Sequence, residues 1–201
     1  MAGEVPQEAH AARVVLGGGI GAGKSTVAEL FGDHGFGLII ADEVGREVLS
    51  PGTKAVDQVA RRWPRAVVDG VVDRAALAQI VFADESELDA LEAITHPYIS
   101  QRISDGLVAA GDRPMLVEVP VLSVASRFAA VRIAVVADSE VRIARAVQRG
   151  NEVEDVRRRV AAQPTDAEWI EWADRVIDNS GSWAETERVV LSIIEEMDTD
   201  G

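Results

Sequence analysis

Between Gly17 and Gly23 the chain places five glycines in seven positions, with only Ile20 and Ala22 between them. So many glycines in one run carry a large entropic penalty unless the bare backbone has a task. Lys24 and Ser25 follow, so Gly18 to Ser25 satisfy G-x-x-x-x-G-K-[ST], the spacing of a loop whose N–H groups turn inward around a polyphosphate. The flanks are those such a loop needs. Arg13-Val14-Val15-Leu16 is short, β-branched and apolar, and reads as a buried strand. Thr26 to Phe31 reads as a helix, whose N-terminus adds partial positive charge. Gly18, Gly19, Ile20, Gly21, Ala22, Gly23, Lys24, Ser25 and Thr26 are therefore candidate nucleotide contacts. Lys24 has the reach for β- and γ-phosphates, and the Ser25 hydroxyl is placed to ligate Mg²⁺.

A chain of 201 residues can build one domain with a real core. Its net charge of −14 argues against a nucleic-acid partner, which needs a basic footprint. The same charge makes the placement of cations informative, since an acidic polyphosphate binder must gather them at its site. Without cysteine there are no disulfides and no thiolate metal sites. No apolar run has the length of a membrane span. Residues 1–12 lack the layout of a signal peptide and read as a loose extension of a cytoplasmic protein.

Along the chain, the first helix should end near Asp33-His34, with Gly35 at C′. Gly37 to Ala41 reads as the second strand. Asp42 follows at its C-terminal end, the edge where open α/β sheets bind ligands. It is either a helix N-cap, a catalytic carboxylate, or both. After Pro51-Gly52 come a helix over about 56–63 ended by Pro64, a hairpin turning at Asp69-Gly70, and a helix over 74–82 capped by Asp73. Leu88, Leu91 and Ile94 mark the buried face of another helix, His96-Pro97 a break, and Pro97 the start of a further helix to about Ala110. His96 alone reads as structural or as catalytic.

Because roughly 53–111 supplies no third core strand, it reads as a helical subdomain inserted between strands. The third strand is Met115 to Val119, where Glu118 is either the second magnesium-side carboxylate or an edge-exposed charge. The fourth is Arg132 to Val136, followed by a helix that Asp138 or Ser139 caps. There Arg142, Arg145 and Arg149 share one face, with Ile143 and Val147 facing the core. We read that stripe as phosphate-binding, by bidentate guanidinium contacts, over a merely solvated face. Arg157-Arg158-Arg159 sit on a second helix ending near Gln163-Pro164, so about 140–165 has the layout of a lid. Trp169 and Trp172 read as packing residues. Arg175 to Asp178 is the fifth strand, Asn179-Ser180-Gly181 the loop after it, and 183–197 the last helix. The alternation implies a doubly wound, mainly parallel α/β sheet of about five strands, with its core in 13–52, 113–139 and 174–198.

In order and spacing these pieces resemble the dephospho-CoA kinases, from about Arg13 to Val190. The carrying residues are the glycine loop through Thr26, Ala41-Asp42 with Arg46-Glu47-Val48, Pro51-Gly52-Thr53, Asp69-Gly70 with Asp73-Arg74 and Leu77, and Ile80-Val81-Phe82. They continue through His96-Pro97, Val119-Pro120-Val121-Leu122, Arg145, Arg149, Ala161-Ala162-Gln163 and Ala173-Asp174 with Ile177 to Gly181. The resemblance implies a phosphate-loop (P-loop NTPase-type) kinase fold with a helical substrate subdomain and a lid. It implies ATP and Mg²⁺, with phosphoryl transfer to the ribose 3′-hydroxyl of dephospho-CoA as the last step of coenzyme A synthesis. Asp42 would be the general base. Lys24, Arg145 and Arg149 would bear on the phosphates, and Asn179 and Gly181 would line the adenine pocket. Arg46, His96 and Glu118 would lie with Asp42 on the substrate side, and a monomer is the favoured state. The chain departs from the family pattern at Gly17 (usually Thr), Ile40 (usually Asp), Glu118 (usually Asp) and Val124 (near a usual Glu). A nucleotide- or CoA-binding relative without turnover, and a phosphate-loop kinase for another small acceptor such as a nucleoside monophosphate, fit the same residues.

Overall fold

The computed structural model describes residues 13–128 and 131–199; the expected extension over 1–12 lies outside them. The strands in chain order are β1 (Arg13–Gly17), β2 (Gly37–Ile40), β3 (Val67–Val68), β4 (Val71–Val72), β5 (Met115–Glu118), β6 (Val131–Val136) and β7 (Arg175–Asp178). Five of them form a sheet in the order β2-β5-β1-β6-β7, and all its pairs are parallel. β1 is thus central. Its run Val14-Val15-Leu16 is fully buried, which is why it reads as continuously apolar rather than alternating. Parallel strands end at one edge, so the glycine loop after β1, Glu118, the turn after β6 and Asn179 after β7 all emerge there.

One core cluster joins Val14, Leu16, Leu116, Ile133, Val135 and Ile177 of the sheet to α1 (Lys24–Asp33) and α10 (Trp183–Thr199). α1 closes as expected, with Gly35 at φ 92°. Gly35 N–H donates to Gly32 and Phe36 N–H to Phe31, and the Phe31 and Phe36 rings meet edge-on at 5.0 Å. This pairing, with its apolar contact, is a Schellman stop. α10 runs to Thr199, past the expected end near 197.

The chain divides into two compact units, one holding the sheet and the other spanning Ala41–Gly106. The second contains α2 (Ala41–Val48), α3 (Lys54–Arg62), the β3–β4 hairpin, α4 (Arg74–Val81) and most of α5 (Glu85–Ala109). Its own core is Val56, Val59, Trp63, Ala66, Val72, Leu77 and Val81, with Leu88, Leu91 and Ile94 partly buried against it. Thr53 caps α3 by accepting from Val56 N–H, and Asp73 caps α4 by accepting from Ala75 and Ala76. Asp69 (φ 52°) and Gly70 (φ 76°) both take the left-handed conformation, as a two-residue type I′ hairpin requires.

Two expectations are corrected. Asp42 is not an N-cap, because α2 begins at Ala41 and Asp42 is already helical. His96-Pro97 is not a break, because α5 is continuous with Pro97 inside it. Pro97 removes one hydrogen bond of the helix, but packing holds both flanks. Leu91 and Ile94 precede it against the unit's core, fully buried Ile103 follows it, and Gly45 leaves room for Ile99.

Candidate active site

The glycines of the loop are required by space. A Cβ on Gly18 would overlap the backbone carbonyl of Val135, on Gly19 the Arg142 guanidinium, on Gly21 the Arg142 backbone, and on Gly23 the Asn179 amide. Gly21 and Gly23 also have φ of 76° and 99°.

A run this flexible needs outside constraints to hold one shape. It has four. Asn179 Nδ2 donates to Ala22 O at 2.8 Å, while Asn179 Oδ1 accepts from Thr186 Oγ1 at 2.9 Å. Arg142 Nε donates to Ile20 O at 2.9 Å, and the same guanidinium pairs with Asp166 at 2.8 Å. Gln163 Oε1 accepts from Ile20 N–H at 2.7 Å. Lys24 Nζ donates to Gly19 O at 3.2 Å. Ala22 N–H turns back to Gly19 O at 3.3 Å. Since Ile20 and Ala22 spend their N–H groups on the protein, donation to a polyphosphate falls to other loop residues and to the first turn of α1, whose N–H groups have no intrahelical partner.

α7 (Ser139–Gln148) divides its arginines between two tasks. Arg142 is 4% exposed and is a strut under the loop through its Nε and Nη1, while its Nη2 is buried with no hydrogen-bond partner. Arg145 and Arg149 line a cavity of about 270 Å³ with Gly23, Thr26, Gln148, Asn179 and Trp183. Arg145 Nη1 is buried there with no hydrogen-bond partner. Ile143 is buried as expected, and with Ala146 and partly buried Val147 it packs on Val156 and Val160 of α8 (Val153–Ala162). Gly181 is not in the cavity lining; it faces the Glu185 carboxylate. That carboxyl is held below its usual range by the Ser182 hydroxyl and N–H. Beside Asn179, the Ser180 hydroxyl and N–H lower the Asp178 carboxyl in the same way, and Asp138 N–H donates to Ser180 Oγ at 2.9 Å. These bonds fix the loop that presents Asn179.

Glu118 is buried on an interior strand, which corrects the reading of an edge-exposed charge. Its register neighbours are Leu16 and Ile40, so an acid at position 40 would stand beside a second carboxylate. The departure at Gly17 has a steric origin: a Cβ there would fall within the Trp169 ring and touch Trp172. Both tryptophans belong to α9 (Asp166–Trp172) and meet edge-on at 5.4 Å. Val124 is buried on the short α6 (Leu122–Ala125). In the second unit, Asp42 and Arg46 are exposed one turn apart on α2, and His96 approaches Glu92 at 4.0 Å along α5. Ser25 is exposed in the first turn of α1. The sequence reading missed Arg142 and Gln163 as loop supports, and Gln148 and Trp183 as cavity residues. Only Gln163 carried a signal, as a lone amide between α8 and Pro164.

A family model described as dephospho-CoA kinase matches residues 12–185. The chain is 36% identical over 197 residues to a dephospho-CoA kinase of Corynebacterium glutamicum, covering 92% of this chain and 96% of that one. It is 40% identical over 184 residues to a dephospho-CoA kinase of Streptomyces avermitilis, covering 89% and 90%. Among solved structures, TT1252 from Thermus thermophilus superposes with a TM-score of 0.80 at 31% identity, covering 93% of this chain and 98% of that one. Dephospho-CoA kinase from Campylobacter jejuni shares the fold, with a TM-score of 0.68 at 23% identity over 92% and 96% of the two chains.

Proposed function

The chain belongs to the dephospho-CoA kinase family, and on that premise we propose that it transfers the γ-phosphoryl group of ATP to the ribose 3′-hydroxyl of dephospho-CoA. The observation that carries this reading is the close-packed glycine loop beside a buried Arg145 N–H that no protein atom accepts. A buried cationic donor left unpaired is unfavourable, and a phosphate oxygen satisfies it. Lys24 and Arg145 neutralise the charge that develops on the transferring group, and Arg149 adds to it from the cavity wall.

Asp42 takes the proton of the 3′-hydroxyl. The oxygen attacks the γ-phosphorus, the bond to the β–γ bridging oxygen breaks, and ADP leaves with that electron pair. Such base assistance is worth roughly 10²- to 10⁴-fold; positioning and charge supply the rest. Arg46, one turn from Asp42, and His96 serve the acceptor, and Asn179 sets the wall of the nucleotide cavity. Among the described residues no three His, Cys, Asp or Glu side chains gather to hold a metal ion. This suits Mg²⁺, which binds through few protein ligands and substrate phosphates. Ser25 and Glu118 are the residues that would hold it, and it would supply positive charge against the phosphates.

The test is CoA formation from ATP, Mg²⁺ and dephospho-CoA, run beside a panel of nucleoside monophosphate acceptors. We expect ADP release that depends on dephospho-CoA, with one CoA formed per ADP. A protein that bound both substrates and gave no CoA would refute the reading, as would a monophosphate turned over faster.

A further inference from the structure

Ile20 is the one large apolar side chain within the loop, and both polar groups of its backbone are taken by side chains from outside it. Its N–H donates to Gln163 Oε1 at 2.7 Å, and its carbonyl accepts from Arg142 Nε at 2.9 Å. The amide orientation of Gln163 is settled by chemistry: a backbone N–H only donates, so the atom facing it is the oxygen.

Gln163 itself has little freedom. It is the C-cap of α8, the helix that carries Arg157, Arg158 and Arg159. Pro164 follows with its fixed φ. Thr165 then caps α9 in a reciprocal capping box with Glu168. From α9, Asp166 holds Arg142 at 2.8 Å and the Trp169 ring fills the space over Gly17. The junction of α8 and α9 therefore reaches the loop directly through Gln163, the adjoining end of β1 through Trp169, and Arg142 through Asp166; among the described residues of the junction only Gln163 bonds the loop itself. A shift of the last turn of α8 must either break that bond or move the Ile20 peptide.

We propose that Gln163 is a positioning residue for the kinase reaction: by accepting from Ile20 N–H it sets the loop for the ATP phosphates and ties that setting to the placement of α8. This rests on the reading of Gly18 to Ser25 as the ATP loop. It assigns Gln163 no contact with the reacting atoms.

The test compares the full-length wild type with Gln163→Met, of similar size without the acceptor, and Gln163→Glu, which keeps an oxygen to accept. Amide exchange followed by NMR in the absence of nucleotide reads the bond itself. A hydrogen bond of ordinary strength predicts about a fivefold faster exchange at Ile20 in Gln163→Met. Val15, in the adjoining strand, should stay within about twofold of wild type, and Gln163→Glu should restore Ile20 protection. Gln163→Met should also raise the KM for ATP about fivefold and leave the KM for dephospho-CoA within twofold. Unchanged exchange at Ile20, an unmoved KM for ATP, or a Glu variant no better protected than the Met variant would each overturn the proposal. A wild type that made no CoA would sink the kinase reading instead, and the exchange data with ATP dissociation constants would still judge Gln163.

Discussion

The glycine loop and the helical unit use the same residue for opposite reasons. In the loop, a Cβ at Gly18, Gly19, Gly21 or Gly23 would strike backbone, guanidinium or amide atoms. In the helical unit, Gly52 and Gly70 have nothing within 4 Å of such a Cβ and are there because the turn needs a positive φ. The loop acts through its main chain, which is walled in by Arg142, Gln163 and Asn179. The helical unit offers side chains, Asp42 and Arg46, on an exposed helix face. Substitutions should therefore fail differently in the two regions: through atoms added in the first and through functional groups removed in the second.

The largest expected effect tests the side-chain half. Asp42→Asn should lower kcat by roughly 10²- to 10⁴-fold with the KM for ATP within about twofold. A rate within about threefold of wild type would remove Asp42 from its assigned role. Next comes a matched pair of glycines. Gly21→Ala adds a Cβ against the Arg142 backbone at a positive φ, and should reduce kcat/KM for ATP by more than about tenfold. Gly70→Ala at the same φ of 76° should weaken stability by about 1 kcal/mol and leave kcat/KM within about twofold. If the two variants behaved alike in the CoA assay, the contrast between space and conformation would collapse.

Smaller again is Gly17→Thr, which restores the side chain usual in the family. It should destabilise by about 1–3 kcal/mol through overpacking against Trp169, lowering Tm by several degrees in a thermal melt, and it should not raise turnover.

The smallest effect lies far from the loop, where Arg132 and Asp174 pair at 2.6 Å before β7. The Arg132 side chain holds the Asp174 carboxyl at a pKa of about 2. The depressed value means its stabilisation is complete above the unfolded value, roughly 3.9, and lost as pH falls through about 2. With both side chains about 40% exposed, the pair is worth at most about 1 kcal/mol. In urea titrations Asp174→Asn should differ from wild type by no more than that at pH 7, with the gap closing between pH 4 and 2.

The sheet was legible because each core strand is a short apolar run ended by a residue of distinct chemistry, and the loop because its spacing is chemical. Caps such as Asp73 and the Asp69-Gly70 turn were legible for the same local reason. What escaped was non-local. Nothing in the run around His96-Pro97 says that Ile103 will be buried far along the same helix. The period of α7 placed Arg142 and Arg145 together, but the partners that separate them, Ile20 and Asp166, lie 122 and 24 residues away. Val124 reads as a lost glutamate until the structure shows it as a core residue.

Trp169 over Gly17 has a consequence for how such a chain changes over generations. Shrinking Trp169 first opens a void beside a central strand, and enlarging Gly17 first drives a methyl or hydroxyl into an indole. Each single step is penalised, while the two together restore a filled space. The two positions are therefore expected to change together, so that lineages that differ at one differ at the other.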